Sequence, residues 1–300
     1  MSSVTQNPEF QIPVEDISAF LQNPSSPEAQ IVIDSVRAAC TTSAFFQPRE
    51  NGISEGLVEA LFQGAKALFA LPLEEKKTLK RPGTKTGYDI MGAQALQHGA
   101  LPDMKEGYYI GKDMAIDAEQ TSRSFMTPNI WPSVKRVPEA VFKKPMVDYY
   151  GAVEALCLRP LEVIAAALPQ GPDVLDELKE EPIVASMRLL HYPPPKSTAE
   201  KQFSAGAHTD FGVQKQKTGQ WVLVPLNEND LLQHHKSNLH RVLNLGDADC
   251  YSVPYFFDGC LDANLKRLDG ADEDRILNVK EHMLERFATA YSTAYESRGG

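Results

Sequence analysis

The sequence predicts an α+β fold, with a helical N-terminal layer packed on a β core. Three observations predict it. Apolar residues recur at helical spacing through most of the first two-thirds of the chain. From Ile183 the character turns to short β-rich runs, and helical spacing returns in Lys280–Ser297. With 300 residues, 42% hydrophobic and 23% charged, the chain can bury a substantial core in one large domain or two modest ones.

The elements follow in order. Pro27–Cys40 places Ile31, Val32, Val36 and Ala39 on one stripe, with proline near the start, where its missing N–H is harmless. Ser54 is placed to cap a helix carrying Leu57, Leu61, Ala65 and Leu68. Pro72 ends that helix and opens a second, short one in "PLEEKK". Between about Arg81 and Pro132, glycines from Gly83 to Gly111 punctuate loops and short strands. Pro138–Pro169 reads as a long amphipathic helix with a kink at Pro160. Strands are expected at Ile183–Pro195, Gln220–Leu226, Leu239–Leu245 and Cys250–Gly259. There is no internal repeat and no low-complexity tract.

Charge and cysteine content narrow the function. The formal net charge is −10 and no basic stripe offsets it, which argues against nucleic acid as a partner, since phosphate binding needs a basic face. Cys40, Cys157, Cys250 and Cys260 are scattered without CxxC spacing and read as reduced thiols rather than a zinc site. No run of eighteen apolar residues offers a membrane span, and the first residues lack a charged-then-apolar signal pattern. A cytoplasmic location is the expectation.

The chemistry gathers around "GAHTDFG". On a strand, His208 and Asp210 share a face, because side chains alternate with period two. One imidazole and one carboxylate make two-thirds of a 2-His-1-carboxylate triad, the arrangement that leaves positions open on Fe(II) for a chelating cosubstrate and O2. The third ligand should be a histidine on a later strand, and His240 in "LHRVLNL" is the candidate. Taken alone the pair is of low specificity, and two polar residues on an ordinary loop read the same way.

Seven segments in one order add to this. "FFQPRENGIS", "LFALPLEEKK", "PDMKEGYYIGKDM", "MRLLHYPPP", "GAHTDFG", "LHRVLNL" and "YSVPYFFDG" give the chain a likeness running nearly end to end. It resembles the isopenicillin N synthase-like family of non-haem Fe(II)/2-oxoglutarate-dependent dioxygenases. The resemblance implies a double-stranded β-helix (jelly-roll) core at about residues 180–275. The N-terminal helical/β region would be residues 1–135, and residues 136–300 would carry the long helix, the core and the C-terminal helix. It implies His208, Asp210 and His240 as iron ligands, and Tyr192 and Ser252 as contacts to the 2-oxoglutarate carboxylates, with no catalytic residue beyond the metal ligands. The implied reaction consumes O2 and decarboxylates 2-oxoglutarate to succinate and CO2 while a small organic molecule of secondary metabolism or catabolism is oxidised; ascorbate can serve as reductant.

Two departures from the family pattern stand out. Cys250 occupies the place of an arginine that would fork onto the distal carboxylate of 2-oxoglutarate. Losing such a contact costs about 2–5 kcal/mol. Arg241 or Lys266 could supply the charge, or there could be a different cosubstrate or none. The second departure is length, for only 29 residues separate Asp210 from His240. Four strands of about 5 residues with connections of about 2 would barely fit. Only Gln220–Leu226 reads as a strand there, so the core could be incomplete: neighbouring segments close its edges, another chain covers them, or the fold is damaged. "ENGI" at Glu50–Ile53 is a smaller departure, at a structural position.

Two functions therefore stand side by side: an active dioxygenase, or a non-catalytic relative that associates with a paralogous subunit as a regulatory or stabilising partner. Among accessory residues, Lys105 and Glu106 resemble a family loop motif and read plainly as a surface ion pair, His234 and His235 read as solvated or, in a shifted register, as substitute ligands, and Trp131 reads as a core anchor. His191 reads as a pocket residue or a structural one, and Tyr108 and Tyr109 either shape a pocket or pack.

Overall fold

A computed structural model describes residues 13–42, 46–49, 52–80, 86–97, 99–114, 125–195, 202–208, 240–244, 246–265 and 277–285. The elements are β1 (Val14–Asp16), α1 (Ser18–Gln22), α2 (Pro27–Thr42), β2 (Gln47–Arg49), α3 (Glu55–Phe69), α4 (Leu73–Lys77), β3 (Gly87–Asp89) and β4 (Glu106–Ile110). They continue with α5 (Lys143–Ala167), β5 (Ile183–Tyr192), β6 (Ala205–His208), β7 (His240–Val242), β8 (Cys250–Ser252), β9 (Tyr255–Cys260), β10 (Asn264–Leu265) and β11 (Leu277–Asn278). Residues 279–285 are helical.

The helices form where apolar spacing and caps demand it. The Ser26 hydroxyl accepts from Ala29 N at 3.1 Å and opens α2, whose first residue is Pro27. The buried stripe of α2 is Ala29, Val32, Ile33, Val36 and Cys40, packed on Val163 and Ala167 of α5. Ile31, expected on that stripe, is 70% exposed, and Ile33 takes the inward place. Ser54 caps α3 as expected, its hydroxyl accepting from Leu57 N at 3.3 Å. Pro72 precedes α4. The long helix begins at Lys143 rather than Pro138 and carries Pro160 inside it.

Five antiparallel strands make the central sheet. The order β3-β4-β5-β8 is completed by β9, which pairs with the first half of β5 while β8 pairs with the second. The period of two gives β5 two different faces. Ala185, Met187 and Leu189 enter the main core with Leu61 and Leu68 of α3, Met146 and Tyr150 of α5, and Phe142. Leu190 and Tyr192 pack instead with Ala205 of β6 and Val242 of β7. Helices thus cover one side of the sheet, and the β6–β7 pair lies against the other. The strand expected at Gln220–Leu226 lies outside the described residues, as do Asp210, His234, His235 and Lys266.

Candidate active site

The backbone brings His208 and His240 together. β6 and β7 are antiparallel, and the two histidines are direct Cα partners across the ladder. The His208 ring is half-buried, and its Nδ1 lies 2.7 Å from the Gly206 carbonyl oxygen. A carbonyl only accepts, so Nδ1 carries a proton, and in the neutral ring that leaves the lone pair on Nε2. That is the tautomer in which an imidazole ligates through Nε2. Among the described residues no group of three His, Cys, Asp or Glu side chains is arranged to hold a metal ion; the third expected ligand, Asp210, lies outside them.

Strand β6 is held by a segment about a hundred residues earlier, which sequence reasoning missed. Gly206 N donates to Asp103 Oδ1 at 2.8 Å, and Ala207 N donates to Gln97 Oε1 at 3.0 Å. Lys105 Nζ holds the other carboxylate oxygen of Asp103 at 2.7 Å. The approach is close enough to require glycine: a Cβ at Gly206 would stand 2.7 Å from Gln97 Cβ. Lys105 and Glu106 are both buried and do not pair with each other, which corrects the surface-pair expectation. Neighbours on an extended chain face opposite ways, so Lys105 turns to Asp103 and Glu106 turns to Lys76.

Across from β6–β7, the expected cosubstrate residues lie together. Tyr192 partners Cys250 and Leu190 partners Ser252 in the β5–β8 ladder. The Ser252 hydroxyl donates to Tyr192 Oη at 3.4 Å. Burial pushes the Tyr192 phenol up to about 12, against the opposing pull of Ser252 and Arg188. Asn244 Nδ2 donates to the carbonyls of Tyr192 and Pro193, at 3.1 and 3.2 Å, and ties the end of β7 to the end of β5. Arg188 lies over the Tyr109 ring at 4.1 Å and donates through Nη2 to Gln94 Oε1 at 2.8 Å, while its buried Nε has no acceptor among the described residues. Arg241, expected as a substitute cation, does not face this side. Its neighbour Val242 packs toward Tyr192, and alternation sends Arg241 the other way, 5.6 Å from the Phe203 ring centroid.

Residues 12–134 match the family described as "non-haem dioxygenase in morphine synthesis N-terminal". The 2-oxoglutarate-dependent dioxygenase citB of Monascus ruber is 41% identical over an alignment covering 96% of this chain and 98% of that protein. The chain belongs to the Fe(II)/2-oxoglutarate-dependent dioxygenases. Clavatol oxidase claD of Penicillium crustosum is 36% identical, with 96% of this chain and 99% of that protein covered. Among solved structures, a full-length Neurospora crassa protein in complex with alpha-KG matches with a TM-score of 0.76 at 23% identity, over 95% of this chain and 98% of that one. JOX2 in complex with 2OG, Fe and JA matches at 0.71 and 20%, over 91% and 84%. The expected α+β jelly-roll class is borne out. The citB alignment runs over 324 positions, more than the 300 residues here, so that relative carries residues with no counterpart in this dioxygenase. Among the described residues, no helix is long and apolar enough to cross a membrane.

The donor set of this dioxygenase fits the family's two small partners. An imidazole with Nδ1 turned to a carbonyl, opposite a second histidine position, would suit Fe(II) through Nε2, with Asp210 as the expected carboxylate. Two hydroxyls on the buried inner face suit an anionic cosubstrate.

The outer face of the same dioxygenase carries a charge network. His191 sits between Glu106, at 2.8 Å from Nδ1, and Asp249, at 2.9 Å from Nε2, and stacks on Tyr251. It is a structural residue facing Phe69 rather than the cosubstrate side. Glu106 also accepts from Lys76 Nζ at 2.7 Å and from the Tyr88 hydroxyl. Burial would raise the Glu106 carboxyl, but the hydrogen bonds from His191, Lys76 and Tyr88 outweigh it and hold it below the usual carboxylate range. Burial would lower His191, but Glu106 and Asp249 outweigh it and raise the imidazole above its ordinary 6.5. The Glu106 contribution is present above the ordinary carboxylate range and is lost as pH falls through the lowered value. The His191 contribution is full below 6.5 and is lost as pH rises through the raised value. The stability gap between the native protein and His191→Gln, read from urea unfolding across pH, should be widest in mildly acidic buffer and shrink toward alkaline pH.

Proposed function

We propose that this dioxygenase holds Fe(II) with His208, Asp210 and His240, seats 2-oxoglutarate with Tyr192 and Ser252, and oxidises a small organic molecule of secondary metabolism. The observation that carries the reading is the direct pairing of His208 with His240 on strands packed against the Tyr192–Ser252 face. The relatives in Monascus and Penicillium, clavatol oxidase among them, support the substrate class.

The chain's own residues divide the work. Gly206 O fixes the His208 tautomer, and Asp103 and Gln97 fix the strand that carries it. Tyr192 and Ser252 offer hydroxyls to a carboxylate, held in place by the ladder behind them. Leu190, Ala205 and Val242 keep the intervening space apolar and exclude water, which strengthens every polar contact within it. When bound, the iron and 2-oxoglutarate would supply the means of activating O2, which is the oxidant: two of its four oxidising equivalents go to converting 2-oxoglutarate to succinate and CO2, and two to the small molecule. Purified protein with Fe(II), O2 and 2-oxoglutarate should release succinate faster than His208→Ala under the same conditions. Equal rates with no retained iron would instead fit the non-catalytic alternative, a partner of an active paralogue.

A further inference from the structure

The inner face of β5 presents Arg188, Leu190 and Tyr192 in alternation. Leu190 is the ladder partner of Ser252, and Ser252 donates to Tyr192 Oη, so both hydroxyls lie at the level of Leu190. Arg188 is two residues further along, about 7 Å at strand spacing, within the reach of an arginine side chain. Its charge is already felt at the Tyr192 phenol. Arg188 and Tyr192 thus share one face of β5, with Ser252 beside Tyr192 on β8 and the guanidinium stacked on Tyr109 of β4, the neighbouring strand on the other side of β5.

The guanidinium is held but not neutralised. Tyr109 supports it from beneath at 4.1 Å, and Gln94, itself buried, accepts one hydrogen bond from Nη2. Both partners are uncharged. Among the described residues the buried Nε has no acceptor and no carboxylate lies within ion-pair distance of the group. Three other cations around the sheet are each matched: Lys76 to Glu106, Lys80 to Asp89 and Lys105 to Asp103. A planar fork with an unmet buried donor is built for a two-oxygen anion. Cys250, an exposed thiol with no donor fork, cannot serve that anion, and Arg241 faces away.

We infer that Arg188 receives the distal carboxylate of 2-oxoglutarate in this chain, replacing the arginine that Cys250 lacks. The inference rests on the 2-oxoglutarate reading above. It predicts a cosubstrate site entered by charge from β5 rather than from β8, with Gln94 and Tyr109 as its supports.

The test is calorimetric binding of two 2-oxoacids to the anaerobic Co(II)-loaded protein. The first is 2-oxoglutarate. The second is 2-oxovalerate, which has a methyl group in place of the distal carboxylate. Arg188→Gln should weaken 2-oxoglutarate roughly tenfold or more, the size of a lost charge-assisted fork, and leave 2-oxovalerate unchanged. Arg188→Lys should fall between, and it keeps the test available if the glutamine variant misfolds. Cys250→Arg should restore most of the loss in the Arg188→Gln background and add less to the native protein, a coupling that a merely structural arginine would not show. An unchanged preference for 2-oxoglutarate over 2-oxovalerate in both Arg188 variants overturns the inference while leaving the proposed function standing. A native protein that binds neither acid overturns both. A native protein that binds both equally, with Arg188→Gln weakening neither, overturns the inference by showing that the distal carboxylate is not read.

Discussion

Lys76→Met will lower the unfolding free energy by about 3–5 kcal/mol, because it leaves a buried carboxylate without its cation. Both side chains of the Lys76–Glu106 pair are under a tenth exposed, and their 2.7 Å contact bridges α4 to β4. Lys76 also donates to the Phe69 carbonyl at the end of α3, so one ammonium joins two helices and the sheet. Without it, Glu106 keeps His191 and Tyr88 as its side-chain partners among the described residues and should protonate more readily. Urea denaturation of the variant at neutral pH measures the loss. Pairing Lys76→Met with Glu106→Leu should recover much of it, since removing both charges avoids the uncompensated one. A double variant as unstable as the single would place the cost in packing rather than in charge.

The second large effect is chemical. His208→Ala should bring 2-oxoglutarate-dependent succinate release down to background while leaving the fold intact. The His208 ring is half-buried at the end of β6, and its hydrogen bond to Gly206 O is local. The strand's hold on the rest of the protein runs through the backbone N–H groups of Gly206 and Ala207, which the substitution leaves alone. Loss of turnover with unchanged thermal unfolding separates a ligand role from a structural one. Turnover equal to the native protein would remove His208 from the site.

Much of the helical layer was legible because helices announce themselves locally. The Ser54 cap, the break at Pro72 and the inward residues of α3 all depend on neighbours within a turn or two. Ile31 was misplaced for a related reason: in "QIVIDSV" apolar residues stand on both sides of the helix, and only packing on Val163 and Ala167 decides which are buried. His208 and His240 were legible as a pair because strand alternation and a later histidine suffice to suggest them. Arg188, Gln94, Gln97 and Asp103 were not. Arg188 meets Gln94 across 94 positions, and Asp103 meets Gly206 across 103. No local pattern encodes such partners; they follow from the register of β4, β5 and β6. The same register turned Lys105 and Glu106 from a supposed surface pair into two separate buried ion pairs.

The central claim is that His208, Asp210 and His240 grip one ferrous ion, and anaerobic Fe(II) titration of the purified protein tests it most directly. The account predicts one tightly held ion per chain, with affinity collapsing in each of His208→Ala, Asp210→Ala and His240→Ala. Tight binding that survives all three substitutions, or no binding by the folded native chain, would contradict it.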